Sequence, residues 1–174
     1  MPILGTVASQ FSGKSFNSFE SISTVTVGSP QSTITFSSIP ATYTHLQVRG
    51  FVANNATNCN FYMSFNGNTA TNGHAVLGDG STVFTDYNST GLIYNMRTNT
   101  GQFVFITDLL DYTNTNKNKV IRTLSGGDAN GAGRVEIASG FINNTAVVSS
   151  LSIAPNEGNF PQYSTVSLYG IKGV

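Results

Sequence analysis

The sequence predicts an all-β protein, an antiparallel β-sandwich with a jelly-roll-like path, and three observations carry that expectation. Short runs of alternating apolar and polar residues recur along the chain, separated by Asn, Gly, Ser, Thr and Pro clusters every eight to fifteen residues. No stretch keeps helical periodicity over three turns. The clearest hairpin signature is QFVFITDLLDYTNTNKNKVIRTLS, Gln102 to Ser125, in which two apolar runs flank an Asn/Thr-rich connection whose small side chains bond their own backbone. Nine to eleven strands are expected, and closure into two packed sheets is the favoured way to manage so many edges.

Taken in order, residues Met1 to Ser18 lack alternation and read as an extended N-terminal arm, with isolated Phe11 and Phe16 as anchors for a neighbouring subunit. One domain is expected over residues 19–174, because no internal repeat and no linker interrupts the pattern. FESISTVTV (Phe19–Val27) and STITF (Ser32–Phe36), around Gly28-Ser29-Pro30-Gln31, read as a first hairpin. Pro40 ends that run. HLQVRGFV (His45–Val52) puts Leu46 and Val48 on one face and His45, Gln47 and Arg49 on the other.

NFYMSF (Asn60–Phe65) aligns Phe61, Met63 and Phe65 inward, and Asn66-Gly67-Asn68 is a strong turn. A short strand is expected at His74–Leu77 and another at Gly91–Arg97; Val83–Thr90 carries no clear assignment. Gly126 to Gly133 is the most glycine-dense loop. VEIASGF (Val135–Phe141), VVSSLSIA (Val147–Ala154) and YSTVSLYGI (Tyr163–Ile171) complete the set, the last with Val166, Leu168 and Gly170 on one face.

With 8 basic and 8 acidic residues in 174 and only 9% charged, the chain has no electrostatic footprint for nucleic acid or an anionic membrane. The 12 Phe and 7 Tyr argue for a packed core rather than disorder. The surface is then mostly Ser, Thr and Asn, which suits life inside an assembly where neighbours cover much of it. The start has no basic n-region and an apolar run too short for export, and no stretch reaches transmembrane length. The single cysteine, Cys59, permits no internal disulfide and reads as a small half-buried residue.

Catalytic, cofactor and metal signals are weak, and no enzyme, cofactor or metal is expected. His45 and His74 read as surface or loop histidines, and no Cys/His cluster is available for zinc. Asp108 and Asp111 fall near a turn, where carboxylates commonly bond backbone amides. Asp128-Ala129-Asn130-Gly131 imitates the start of a calcium loop, then fails at Ala132 and Ser139. Asn55-Ala56-Thr57, Asn88-Ser89-Thr90 and Asn143-Asn144-Thr145 match the glycosylation pattern, as chance allows in such a composition. Tyr43, Tyr62, Tyr87, Tyr94, Tyr112, Tyr163 and Tyr169 would be the material for a sugar-stacking face.

The segments ILGTVASQ, TFSSIPATYTHLQVRG, FNG after an aromatic strand, DLLDYTNTNKNK, GAGRVEIASG and QYSTVSLYGIKG together resemble a family of small virion structural proteins of tailed phages of marine bacteria and cyanobacteria. The resemblance runs from Pro2 to Gly173 and departs between Asn66 and Arg97, a region expected to form exposed loops. It implies a virion location and a non-enzymatic structural role, foremost as a capsid decoration (cement) protein. The partners would be further copies of itself, as a homotrimer, and the major capsid protein. The alternative is a tail- or fibre-associated protein that binds a host-surface glycan, with a free carbohydrate-binding module behind it. The family offers no catalytic residues to carry over.

Overall fold

The computed structural model describes residues 18–54, 56, 59–68, 71–90, 92–95, 101–128 and 133–173, without the side chains of 71, 72, 86–90, 92–95 and 128. The expected arm, with Phe11 and Phe16, lies outside the described residues except for Ser18. The strands are β1 (Phe19–Thr26), β2 (Ile34–Phe36), β3 (His45–Ala53), β4 (Asn60–Phe65), β5 (Thr71–Gly78), β6 (Val83–Thr90), β7 (Leu92–Asn95), β8 (Gln102–Leu110), β9 (Lys119–Asp128), β10 (Arg134–Ile142), β11 (Leu151–Pro155) and β12 (Thr165–Ile171). That makes twelve among the described residues, above the nine to eleven expected. The alternation in β3, β8 and β12 buries the anticipated side chains: Leu46 and Val48, Phe103, Phe105 and Leu109, and Val166 and Leu168.

All pairings are antiparallel, in an eight-stranded sheet of order β1-β12-β3-β8-β9-β10-β5-β6 and a four-stranded sheet of order β2-β11-β4-β7. The chain crosses from one sheet to the other at nearly every connection. It stays within a sheet only at the β5–β6 hairpin and along β8–β9–β10. Without those additions, β1-β12-β3-β8 faces β2-β11-β4-β7, which is the path of an eight-stranded jelly roll. The two additions join side by side, β10 to β5, and extend the larger sheet into a four-stranded wing.

Two expectations are corrected here. β1 and β2 are not a hairpin: β1 pairs with β12 and β2 with β11, in opposite sheets. The Gly28–Gln31 segment is an arch held from outside. The Val27 amide donates to Ser164 O (2.8 Å), the Tyr163 amide to Val27 O (2.8 Å), and Gln31 bridges Phe160. The region from Asn66 to Arg97 is not simply loop, since it supplies β5, β6 and β7. The Asn66-Gly67 turn forms as expected. Both residues have positive φ (51° and 74°), the conformation a tight reversal requires and Asn and Gly tolerate best.

The interior is closed by aromatic rings from both layers. Phe61 of β4 meets Phe103 of β8 at 4.6 Å between centroids and Phe160 at 5.4 Å; Phe103 meets Phe105 at 6.1 Å. Around them lie Ile34, Met63, Phe65, Leu151 and Ile153 from the smaller sheet, and Leu46, Val48 and Leu168 from the larger. Tyr112, fully buried just after β8, donates its hydroxyl to Pro40 O and accepts the Tyr43 amide at 3.4 Å. Gly50 lies directly under Phe105: a Cβ there would stand 2.1 Å from the ring. Gly50→Ala is therefore expected to displace Phe105 and destabilise the fold by about 2–3 kcal/mol, read as a lower melting temperature in thermal denaturation.

Candidate interaction surface

The larger sheet has an inner face toward the smaller sheet and an outer face toward solvent, and the two halves of its outer face differ in chemistry. Over β1, β12 and β3 the outer face is polar. Thr24 bonds Ser167 across the pair (2.8 Å) and Thr26 bonds Thr165 (3.2 Å), a hydroxyl ladder that keeps this face wettable without charge. At its lower end Phe19 stacks on Tyr169 at 4.8 Å, with the Arg49 guanidinium 4.9 Å and 5.3 Å from the two ring centres.

Over β8, β9, β10 and β5 the outer face is apolar. The register places Ile106 opposite Leu124, Leu124 opposite Ile137, and Ile137 opposite Val76, an unbroken row across four strands. A parallel row runs Val104, Gly126, Val135, Gly78 and Val83. Below them Gln47, Asp108, Arg122, Ser139 and His74 form a polar row, and Leu110, Val120 and Phe141 an apolar one beneath. Val76, Val104, Leu124, Val135 and Ile137 are each more than half exposed, from 51% to 60%. With Phe51, Ile106, Val83, Leu110, Val120 and Phe141, the exposed apolar area is on the order of 1,000 Å² in two strips divided by the polar row, and the larger strip by itself exceeds the few hundred Å² of the largest patch on an ordinary monomer.

The inner face of the same strands is apolar along β8 and at the Ile121 and Ile142 ends of β9 and β10, where Phe103, Phe105 and Leu109 also join the core, but polar in between. Thr107, Thr123, Ser125 and Glu136 are buried, with Thr107 and Thr123 sharing a hydroxyl bond of 2.8 Å. Beyond them a small cluster of Ala75, Leu77 and Ala138 with Phe84 adds apolar packing. The middle of β9 and β10 thus inverts the usual arrangement, burying hydroxyls and a carboxyl group while presenting Leu124, Val135 and Ile137 to solvent. The apolar pairs Val135/Ile137 and Val120/Leu124 were visible in the sequence, but their direction was not.

The polar row is internally satisfied. Asp108 accepts from Arg122 Nη2 (2.8 Å) and Gln47 Nε2 (2.7 Å). Burial pushes its carboxyl up, but those two bonds outweigh it and hold the group below the usual carboxylate range. Asp108 therefore lies mid-strand and bonds side chains, not the turn amides expected from sequence. A shallow depression of about 400 Å³ lies here, lined by Ile106, Asp108, Arg122, Leu124 and Ile137.

The connection from β8 to β9 is organised by a buried cation. Lys119 is 1% exposed, and its ammonium donates to the carbonyls of Asn114, Lys117 (3.4 Å) and Thr145 (3.0 Å). Burial lowers its pKa. Asp111 pairs with Lys117, which holds its carboxyl below the usual range, and its Oδ1 stands 3.4 Å from His45 Nδ1. His45 Nδ1 already accepts the Asp111 amide at 2.9 Å, so the pair is a loop tie and not a general base with its orienting carboxylate.

The remaining candidates do not converge. His74 is exposed on the outer face of β5, away from His45. Cys59 is fully buried, not half-buried, and burial pushes its thiol pKa up, the opposite of activation. No group of three metal-ligating side chains occurs among the described residues. Residues 129–132 of the calcium-like segment, and Asn55 and Thr57, lie outside the described residues, as do the side chains of Asn88, Tyr87 and Tyr94. Asn144 Oδ1 accepts the Ala146 amide (2.8 Å) in a local turn. Three of the sequence's candidate tyrosines are withdrawn from stacking, since Tyr112 is buried, Tyr169 is covered by Phe19 and Tyr43 bonds Glu20; Tyr62 lies on β4, and Tyr163, just before β12, is exposed. No helix among the described residues is long and apolar enough to cross a membrane. No family model, curated protein or solved structure matches the chain.

Two substitutions test this account. Lys119→Met leaves the three carbonyls without their charged donor and is expected to cost about 2–3 kcal/mol in chemical denaturation. Asp108→Asn is expected to cost about 0.5–1 kcal/mol at neutral pH, since Arg122 is largely exposed. The folded pKa of Asp108 lies below its unfolded value, so this contribution is complete above about pH 4 and disappears as pH falls through the folded value. Wild type and Asp108→Asn should therefore converge in stability under acid, measured by denaturant titrations along a pH series.

Proposed function

We propose that this chain is a non-enzymatic structural subunit of a tailed-phage virion, serving as a capsid decoration protein that clamps neighbouring shell subunits. The observation that carries the reading is the uncovered aliphatic face of the wing on a chain with almost no surface charge: such a face is stable in water only when neighbours cover it. The jelly-roll body is a rigid carrier for that surface, closed by its own aromatic core and independent of any metal or disulfide. The dispersed histidines and carboxylates favour a mechanical role over a chemical one, and the resemblance of the sequence segments to small virion proteins points the same way.

In this reading the protein works by adding buried interface to the shell, with no turnover. Residues 1–17 would supply the reach: a stretch of that length spans up to about 60 Å when extended, enough to cross a neighbouring subunit, with Phe11 and Phe16 as anchors. Cryo-electron microscopy of intact particles tests the reading. Hundreds of copies at regular shell positions are expected, and deletion of residues 1–17 should abolish attachment while leaving the β-sheet circular dichroism unchanged. A few copies confined to the tail would transfer the function to host-glycan adsorption, and absence from particles would refute a virion role.

A further inference from the structure

We infer that the outer face of β8, β9, β10 and β5 is the surface through which copies of this chain pack on one another. The first support is the inversion of polarity described above. At their middle, β9 and β10 bury Thr123, Ser125 and Glu136 and expose Leu124, Val135 and Ile137. Ile106 and Val76 on the flanking strands continue the row of Leu124 and Ile137, so an apolar packing surface is left outside. The second is size. The exposed apolar area, on the order of 1,000 Å², matches the roughly 800 Å² that each partner contributes to a standard stable interface.

The third support is relief. In the upper row the valines Val104, Val135 and Val83 are knobs, and Gly126 and Gly78 are notches between them. The fold of the single chain does not require glycine at either notch. A Cβ at Gly126 would come no closer than 3.5 Å to any atom, and one at Gly78 would also meet its nearest neighbour at 3.5 Å; neither has a positive φ. Adjacent Gly127 is different, for a Cβ there would stand 2.7 Å from Phe103. The space at Gly126 and Gly78 is thus left open on the outer side alone, where it can receive side chains from an occupant.

The chemistry favours a second copy as that occupant. The charges in the polar row are already matched, Asp108 to Arg122, and Arg49 lies over the Phe19 and Tyr169 rings, so the face selects neither an acidic nor a basic partner. What it offers is a repeated pattern of aliphatic knobs beside glycine notches, and a surface carrying both can meet itself. Two such faces would stack about 10 Å apart, as sheets do within a sandwich. This inference deepens the assembly-subunit reading by naming its self-contact. It is measured on purified protein whereas a virion location is measured on particles, so either can fail alone.

The test is light scattering coupled to size exclusion, with the full chain and three variants. Wild type is expected to be oligomeric at about 100 μM, where weak interfaces are still populated. Ile137→Lys places a charge in the centre of the row and should weaken association at least a hundredfold. Gly126→Val fills a notch and should weaken it at least tenfold. Both should keep the wild-type melting transition of the monomer, since neither side chain enters the core. Deletion of residues 1–17 should leave association intact. A monomeric wild type would overturn the inference, as would an oligomer that survives both point substitutions. Loss of association on deleting residues 1–17 would also overturn it, giving the face to the leader.

Discussion

Everything in this molecule depends on the packing of four strands over eight. The smaller sheet can cover only part of the larger one, and the aromatic contact of Phe61 with Phe103 and Phe160 marks where the cover is complete. Beneath that cover the core is built from large apolar side chains, and the single cysteine allows no internal disulfide. Beyond it the larger sheet continues as the wing, where backbone pairing persists but the layer above is thinner. Among the described elements, short β7 reaches over β9 and β10. Where the wing begins, the buried hydroxyls of Thr107 and Thr123 satisfy one another.

That unequal cover explains how a chain of ordinary mean hydropathy acquires a large apolar surface. The residues that would have completed a core under the wing are instead on its outer side, in register across four strands. Mutual satisfaction of Asp108, Arg122 and Gln47 and the hydroxyl ladder of Thr24, Ser167, Thr26 and Thr165 keep the surrounding surface polar yet nearly uncharged. A monomer bearing such a face would be costly to keep in solution, and the proposed role as an assembly subunit rests on that cost.

The loops reinforce this division. Lys119 is bound to three backbone carbonyls, Asp111 to Lys117, and the His45 acceptor to an amide, so these groups hold turns in place. A buried ammonium of this kind is tolerated because each carbonyl dipole replaces part of its lost hydration. Rigid loops in turn fix the register of β8 against β9, and that register sets the aliphatic row.

By itself the sequence determined the strand content and much of the core. The period of two in β3, β8 and β12 separates two faces of each strand, and the Asn66-Gly67 and β8–β9 turns are encoded by residues that favour the required backbone. What only the tertiary structure decided was which strands meet and which face is covered. The expected β1–β2 hairpin failed because a short apolar run carries no mark of its sheet, and the arch between the two is held by Ser164, Tyr163 and Phe160, far along the chain. The direction of Leu124, Val135 and Ile137 was likewise illegible. Alternation says that two faces differ, but the cover comes from distant strands, and distance along the chain is what local pattern cannot measure.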